Sequence, residues 1–277
     1  MTSTSTPLRR TVAASVALAL GALGLTGVVA PALADQSAPS AQVISGDTGT
    51  QAAFKRNVRT RTLQAAPQRQ VLAARPGSYA FTTVVDGQPV RFDPCAPIRW
   101  TSSTARGPAG GLDVLTEAVA RVAALSGTTW VYAGPAAAEP HSRQLPTAPM
   151  AIYPPINIGW TDAGVSDVLA GADRSSLGVT SNKWFGMQYA DGSRKARTVS
   201  SVIALDRTKA LPLRGGMSWK AVALHELAHA MGLGHVNDDS QLMDTGLSWT
   251  LTDLQSGDRE GLTKVGRPAG CVVVPGL

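Results

Sequence analysis

Three of the four histidines of this chain fall within eleven residues, together with an acidic neighbour. The stretch from His225 to His235 reads H-E-x-x-H-x-x-G-x-x-H, with Glu226 directly after the first histidine, and Met243 follows eight residues after the last. Neutral imidazoles are good ligands for zinc, and a carboxylate beside them can act as a base. The pattern therefore predicts one zinc ion held by His225, His229 and His235.

Helical spacing explains how these residues can share one ion. His225 and His229 are at positions i and i+4, so their rings leave the same face of a helix, one turn apart. Glu226 lies about 100° further round the helix, so it would reach a water molecule rather than bind the ion. Gly232 permits a positive φ that ends the helix and turns the chain, which would bring His235 back as the third ligand. The fourth position is then left for water, as in catalytic zinc sites.

The extended motif and its downstream methionine resemble those of the metzincin zinc endopeptidases, and in particular those of secreted bacterial matrixin-like proteins. The resemblance extends over roughly residues 91 to 270. Four further segments are similar to elements of that family: residues 97–100 to its first strand, 201–206 to the strand before the active-site helix, 218–224 to the start of that helix, and 254–262 to its short C-terminal helix.

This resemblance implies an enzyme that hydrolyses peptide bonds in extended protein or peptide substrates. Glu226 would be the general base that takes a proton from water, and Met243 would form the Met-turn of the family. The implied cofactor is one catalytic Zn²⁺ ion. A structural Ca²⁺ ion is compatible with the sequence, but no residue pattern predicts one.

Two other functions are compatible with the same residues. A catalytically silent zinc module that binds cell-wall or protein partners would keep the histidines but would not need Glu226. A structural zinc site would require a fourth protein ligand, for which Cys95 and Asp244 are the candidates. The presence of Glu226 favours the enzyme.

The two cysteines lie at opposite ends of this region, with Cys95 before the first predicted strand and Cys271 after the last predicted helix. In an exported protein such a pair predicts a disulfide. The alternative is a latency switch, in which a pro-segment cysteine binds the zinc ion, as in some matrixins. Residues 93–97 lack the Arg-Cys-Gly core of that switch, so the disulfide is favoured.

The N-terminus predicts export. Residues 1–10 end in two arginines, residues 11–30 are apolar and rich in small side chains, and residues 32–34 read Ala-Leu-Ala, which is typical of a signal-peptide cleavage site. We therefore expect cleavage after Ala34 and a secreted, extracellular protein that can also associate with the cell wall.

Charge and hydropathy exclude other classes of partner. Without residues 1–34, the 25 Lys+Arg residues fall to 23 against 19 Asp+Glu, a formal net charge of +4. No segment interleaves basic and aromatic residues as a nucleic-acid surface does, and no second apolar run approaches the ~20 residues of a membrane span. We expect a monomer that does not bind nucleic acid and whose mature chain does not span a membrane.

Composition and periodicity divide the rest of the chain. Residues 35–77 are rich in Ala, Gln, Ser and Thr and lack a sustained period, which predicts a disordered linker or pro-segment. Residues 78–277 form the predicted catalytic domain. Asp86-Gly87 predicts the turn of a hairpin between residues 79–85 and 88–92.

The remaining patterns indicate the fold class. Apolar residues spaced by three and four predict an amphipathic helix over residues 112–125, and residues 129–132 and 156–160 predict strands. Together with the resemblance, this order predicts an α/β (α+β) fold: a metzincin-like mixed, twisted sheet with two long helices and a C-terminal helix.

Overall fold

The computed structural model describes residues 42–51, 78–246, 248, 250–275 and 277. The predicted signal peptide, residues 1–34, lies outside the described residues. Within the described ranges, no helix combines the length and the apolar character that crossing a membrane requires.

The described chain contains ten strands, four α-helices and two short 3-10 helices at Ser142–Gln144 and Arg267–Ala269. In chain order the strands and α-helices are β1 (Gln42–Gln51), β2 (Ala80–Phe81), β3 (Val84–Val85), β4 (Gln88–Pro89), β5 (Ile98–Ser103), α1 (Gly111–Ser126), β6 (Trp130–Pro135), β7 (Ile156–Thr161), α2 (Asp167–Ala170), β8 (Gly178–Gln188), β9 (Arg194–Asp206), α3 (Trp219–Met231), β10 (Leu233–Gly234) and α4 (Ser256–Val265).

One mixed sheet organises the domain, with its six strands in the order β1-β8-β9-β7-β5-β6. The neighbours among β5, β6, β7 and β9 are parallel, whereas β8 is antiparallel to both β9 and β1. Helix α3 packs against β8, β9 and α1, and α4 packs against α1 and α3. This arrangement confirms the predicted fold class, with α1 and α3 as the two long helices and α4 as the C-terminal helix.

The apolar spacing of α1 explains how it packs. Its buried face includes Val114, Leu115, Ala118 and Val122, which recur at intervals of one, three and four residues. All six residues of the central strand β7 are buried. These faces meet in one apolar core shared by the sheet, α1, α3 and α4, so the helix that carries two of the predicted ligands is fixed between two layers.

The predicted hairpin is confirmed at its turn but not along its arms. Asp86 and Gly87 both have positive φ, 48° and 76°, as a two-residue hairpin turn requires, and β3 pairs with β4 across them. Beyond this short ladder, β2 pairs with β10 instead. The strand pairing therefore follows a contact distant in sequence, which local turn chemistry does not specify.

Two strands lie where the sequence shows no strand pattern. Strand β8 lies within residues 161–200, which are rich in Gly, Ser and Asp and have weak periodicity, and β1 lies within residues 35–77, for which disorder was predicted. That prediction is wrong for Gln42–Gln51, which pairs with β8 along its whole length. Strand β1 is polar and lacks alternation, so its structure depends on the pairing partner rather than on its own sequence. The role of residues 35–77 as a linker or pro-segment stays a prediction.

The structure joins Cys95 and Cys271 in a disulfide, with an S–S distance of 2.00 Å and Cα atoms 5.3 Å apart. Oδ1 of Asp93 accepts hydrogen bonds from the backbone N–H groups of Cys95 and Val272, so both arms of the bridge share one acceptor. The bond ties the segment before β5 to the tail after α4. A cysteine in this bond is neither a zinc ligand nor a latency switch.

Replacing both cysteines with serine should lower the free energy of unfolding by about 2–4 kcal/mol, because the cross-link closes a loop with a sequence separation of 176 residues. Denaturant unfolding under non-reducing conditions measures the loss. Each single variant should lose about as much as the double variant, since either change removes the bond. A peptide map of the unreduced protein should contain the linked Cys95–Cys271 pair, and two alkylatable thiols would contradict the bridge.

Candidate metal centre

Helix α3 begins with a cap and carries two of the predicted ligands. The Ser218 side chain accepts a hydrogen bond from the backbone N–H of Ala221 at 3.3 Å, as at many helix N-termini. Every residue of α3 except Lys220 is buried. His225 and His229 therefore leave one face of a rigid helix in the interior of the domain.

Gly232 ends α3 and turns the chain towards the third histidine. Its φ is +112°, and its N–H bonds to the carbonyl oxygens of Ala228 and His229. A Cβ at this position would lie 2.8 Å from the carbonyl oxygen of Val90, so no other residue fits without movement of the backbone. The turn predicted at Gly232 is confirmed, and β10 then leads directly to His235.

The Nε2 atoms of the three histidines face one another at nearly equal distances. Nε2 of His229 lies 3.0 Å from that of His225 and 3.1 Å from that of His235, and the remaining distance is 3.1 Å. Two zinc–nitrogen bonds of about 2.05 Å at a tetrahedral angle would place their nitrogens about 3.3 Å apart. The three side chains therefore fit one zinc ion.

Backbone carbonyl groups fix the tautomer of two of the rings. Nδ1 of His225 donates to the carbonyl oxygen of Leu242, and Nδ1 of His229 donates to that of Leu233, both at 2.7 Å. With its proton on Nδ1, each ring keeps a lone pair on Nε2. The close contact between these two Nε2 atoms then brings two lone pairs together. A bound cation would relieve the repulsion between them.

The same two rings are held in the neutral form that binds metal. Burial, reinforced by the neighbouring imidazoles, lowers the pKa of His225 to about 3 and that of His229 well below its ordinary value. Burial also lowers the pKa of His235, against the attraction of Asp244. A neutral imidazole has a lone pair for a cation at neutral pH.

No fourth protein ligand joins this group in the part of the chain that the structure describes. The candidate ligand atoms of His225, His229 and His235 lie within 4.8 Å of one another, without any from Cys, Asp or Glu. Asp244 instead accepts hydrogen bonds from the backbone of Asp238 and Gly246, and Cys95 is in the disulfide. Three ligands favour a catalytic over a structural zinc site.

Glu226 is fully buried and is held in place by β8. Its Oε2 accepts a hydrogen bond from the Thr180 hydroxyl at 2.7 Å, and the same hydroxyl lies 2.9 Å from the Glu226 carbonyl oxygen. Oε1 has no hydrogen-bond partner among the described residues, and a Cβ at Gly178 would lie 2.9 Å from it. One carboxylate oxygen is thus fixed, and the other can accept a proton.

The electrostatic surroundings favour Glu226 as a base rather than as a structural group. Burial raises its pKa to about 8, and the hydrogen bond from Thr180 opposes that rise. A divalent cation nearby favours the ionised form of a carboxyl group. A carboxylate of raised basicity beside a cation is the arrangement that general-base catalysis uses.

Two residues of β8 that the sequence analysis did not identify hold α3 in place. Thr180 binds Glu226, and the Asn182 side-chain amide donates to the carbonyl oxygen of His229 at 2.8 Å. They are two positions apart, so both side chains leave the same face of the strand. The spacing by two residues is the sequence pattern that could have identified them. The surrounding region is polar, however, and has no apolar alternation that would predict a strand.

The segment around Met243 is tied to both the histidines and α4. The carbonyl oxygen of Leu242 accepts from His225, and the buried carboxylate of Asp258 accepts from the backbone N–H groups of Leu242 (2.8 Å), Met243 (3.2 Å) and Gln255 (2.7 Å). Asp258 was also missed, although it lies at the third position of α4, where a capping carboxylate is common. The Met243 side chain is buried, and its Met-turn role stays a prediction.

Replacing Asp258 with asparagine should destabilise the protein by about 1–3 kcal/mol, because one of its oxygens becomes an N–H donor facing a buried backbone donor. Burial raises the pKa of Asp258 to about 6, against the hydrogen bonds from Gln255, Leu242 and Met243, so the site already holds a carboxyl group at some cost. Thermal unfolding measures the change. The matched variant at exposed Asp113 should unfold like the wild type, and equal stability of the two variants would contradict the role of Asp258.

Comparison with known proteins gives one finding. The model of the family described as Matrixin (Peptidase_M10) matches residues 99–265, which is more than half of the chain and includes all three histidines. A search of curated proteins found no match. The matched range begins within β5 and ends at the last residue of α4, so it covers the sheet apart from β1 and the N-terminal residue of β5.

Proposed function

The chain belongs to the matrixin family of zinc metallopeptidases, and from this membership we propose that it is a secreted endopeptidase. In this proposal, His225, His229 and His235 hold one catalytic zinc ion and Glu226 is the general base. The substrates are proteins or peptides, as the family implies. The observation that carries the proposal is the convergence of three Nε2 atoms within 3.0–3.1 Å of one another, next to the buried carboxylate of Glu226, one oxygen of which has no hydrogen-bond partner among the described residues.

The residues of the site have separate roles in hydrolysis. Bound zinc supplies a Lewis acid that acidifies water and polarises the scissile carbonyl group. Glu226 takes a proton from the attacking water on Oε1 while Thr180 holds Oε2, so the carboxylate does not rotate away. As the carbon–nitrogen bond breaks, Glu226 passes that proton to the leaving amine. The carbonyl groups of Leu242 and Leu233 keep two of the imidazoles oriented throughout.

The state of Glu226 favours the enzyme over a silent zinc module. A buried carboxylate oxygen without a hydrogen-bond partner destabilises a folded protein, by about 1–3 kcal/mol or more for a charged group. A module that only binds partners has no use for this arrangement, and an uncharged residue at position 226 would remove the cost. An enzyme needs that oxygen for the proton of the water.

Export is supported by two independent observations. The predicted signal peptide precedes the domain, and a disulfide such as Cys95–Cys271 persists in oxidising compartments. The segment after residue 34 would then be exposed to extracellular conditions together with the domain.

Incubation of the purified protein with casein, with and without a chelator, tests the proposed function. We expect internal peptide bonds to be cut, which mass spectrometry of the products would identify, and we expect the chelator to stop cleavage. A zinc-containing protein that leaves casein intact at any concentration would instead indicate the silent module.

A further inference from the structure

A cavity of about 300 Å³ opens at the end of the sheet where strands β5 and β7 begin. Its wall comes from residues 92–99, which lead into β5, residues 151–156, which lead into β7, and residues 197–199 of β9. Neither Glu226 nor a histidine of the metal centre lines it. Sites for small organic ligands are typically about 300–1,000 Å³, so the cavity has room for one such ligand.

The floor of the cavity is apolar. Phe92, Ile98 and Ile156 line it, and all three belong to the buried core that the sheet shares with the helices. At its mouth lies Ile152, which is 74% exposed. Because burying apolar surface against such side chains is favourable, the floor favours a ligand with an apolar body.

Two arginines in the wall have no partner for their charge. Among the described residues, the guanidinium groups of Arg99 and Arg197 form no hydrogen bond and no ion pair. Three other arginines of the domain, Arg121, Arg194 and Arg207, each pair with an aspartate. Nε of Arg197 is also buried, and a buried donor without an acceptor destabilises a folded protein. The two guanidinium groups are therefore available to an anionic ligand.

Tyr153 holds the guanidinium group of Arg197 in place. Cζ of Arg197 lies 5.9 Å from the centre of the Tyr153 ring, which stacks on Phe185 with 6.2 Å between the ring centres. A guanidinium group within about 6 Å of an aromatic ring is attracted to its face. The Tyr153 hydroxyl is itself buried and has no hydrogen-bond partner among the described residues. Because buried polar atoms nearly always have a partner, two unpartnered ones in a single wall point to a site for a polar group.

Asp93 is the one acidic residue among the described residues of the wall, and it already has partners. Its Oδ1 accepts hydrogen bonds from the backbone N–H groups of Cys95 and Val272. Burial lowers the pKa of Arg91, and the nearby charge of Asp93 opposes that change. The wall therefore carries two unpartnered positive charges and one negative charge that is already engaged, which favours an anion.

We propose that this cavity binds an organic carboxylate with a branched aliphatic or aromatic body. The carboxylate pairs with the guanidinium group of Arg197, whose planar fork matches it in geometry, and with Arg99. The apolar body lies on the floor of the cavity. The C-terminal residue of a peptide and a free branched-chain or aromatic acid share this chemistry, so the probes are chosen to distinguish them.

The test measures binding without catalysis, so its outcome does not depend on the proposed function. Isotope-labelled, zinc-loaded protein is titrated with N-acetyl-leucine, which has the chemistry of the C-terminal residue of a peptide, and the amide chemical shifts are recorded. The same titration is made with N-acetyl-leucinamide, which lacks the charge. A third titration uses isocaproate, which has the leucine side chain and carboxylate but no amide group.

Two variants and one control are titrated in the same way. Arg197→Gln removes the guanidinium group. Ile152→Asp places a negative charge at the mouth, and because residue 152 is largely exposed, this change should leave the fold intact. The control is Arg143→Gln, the same change at an exposed arginine outside the cavity wall. Thermal unfolding without ligand shows whether each variant is folded.

We expect N-acetyl-leucine to shift amides within residues 151–156 and 197–199. The uncharged analogue should bind at least about tenfold more weakly, because its amide cannot form the charge-assisted hydrogen bonds of a carboxylate. Arg197→Gln should weaken the binding of N-acetyl-leucine by about 10–100-fold. Ile152→Asp should weaken it by about 3–10-fold, and Arg143→Gln should leave it unchanged.

Both outcomes of the third titration agree with the proposal. Isocaproate that binds as tightly as N-acetyl-leucine would assign the cavity to free acids, and weaker binding would assign it to peptide C-termini. The inference is overturned if no probe binds, if the uncharged analogue binds equally well, or if a folded Arg197 or Ile152 variant binds normally. Shifts confined to residues 225–235 would also overturn it, because zinc itself would then hold the carboxylate.

Discussion

Replacing Glu226 with glutamine should leave about one zinc ion per chain and reduce the rate of casein hydrolysis by about 10²–10⁴-fold. Glutamine has the shape of glutamate, so it can keep the hydrogen bond from the Thr180 hydroxyl, but its side chain cannot accept the proton of a water molecule. The three histidines are unaffected, since their Nδ1 and Nε2 contacts do not involve the carboxylate.

The matched control is Glu117→Gln, the same chemical change at a partly exposed position of α1, where Glu117 pairs with Arg214 and Lys220. A surface ion pair contributes about 0–1 kcal/mol, so this variant should cleave casein at the wild-type rate. Near-normal turnover by the Glu226 variant would assign the base to another residue.

Replacing His229 with alanine should remove zinc from the purified protein and abolish hydrolysis. Only two imidazoles then remain to bind the ion. Losing a residue that merely orients a metal ligand typically weakens metal binding by about 10–100-fold, so losing a ligand itself should weaken zinc binding by more. Elemental analysis of the dialysed protein measures the change.

The fourth histidine provides the control for this second variant. Nδ1 of His141 lies 3.0 Å from Oδ1 of Asp167, away from the three other histidines, so His141→Ala should keep about one zinc ion per chain. Zinc retained in full by the His229 variant would contradict the assignment of the ligands, whereas zinc lost from both variants would point to a general loss of structure.

The ligand set could be predicted because its geometry is local. The spacing of His225 and His229 by one helical turn, and the need for a positive φ at Gly232, follow from helix geometry alone. The cap at Ser218 and the buried face of α1 are likewise encoded within a few residues. These features do not depend on where the helices finally pack.

The supporting residues could not be predicted because their partners are distant in sequence. Thr180 and Asn182 acquire their roles only when β8 lies against α3, more than forty positions along the chain. Asp258 lies at a position that is typical of a helix-capping residue. No local pattern, however, indicates that its carboxylate also accepts hydrogen bonds from the segment around Met243. In each case the signal depends on the tertiary structure.

Strand β1 is the extreme case of this dependence. Gln42–Gln51 is polar, contains two glycines and has no alternation, so its composition indicates a chain without structure. It becomes a strand because it pairs with the edge of β8, where the Trp184 ring lies against Gly46 and the Lys183 side chain forms an ion pair with Asp47. This pairing partner cannot be predicted from the sequence of β1 alone.

We propose that one zinc ion at the three histidines makes this protein a peptidase, and a metal titration tests this role most directly. Zinc is removed from the purified chain with a chelator, restored in measured steps, and the rate of casein hydrolysis is recorded at each step. The rate should be negligible without metal, rise in proportion to bound zinc, and level off at about one zinc per chain. Full hydrolysis without zinc, or one bound zinc per chain with no hydrolysis, would contradict this role of the metal.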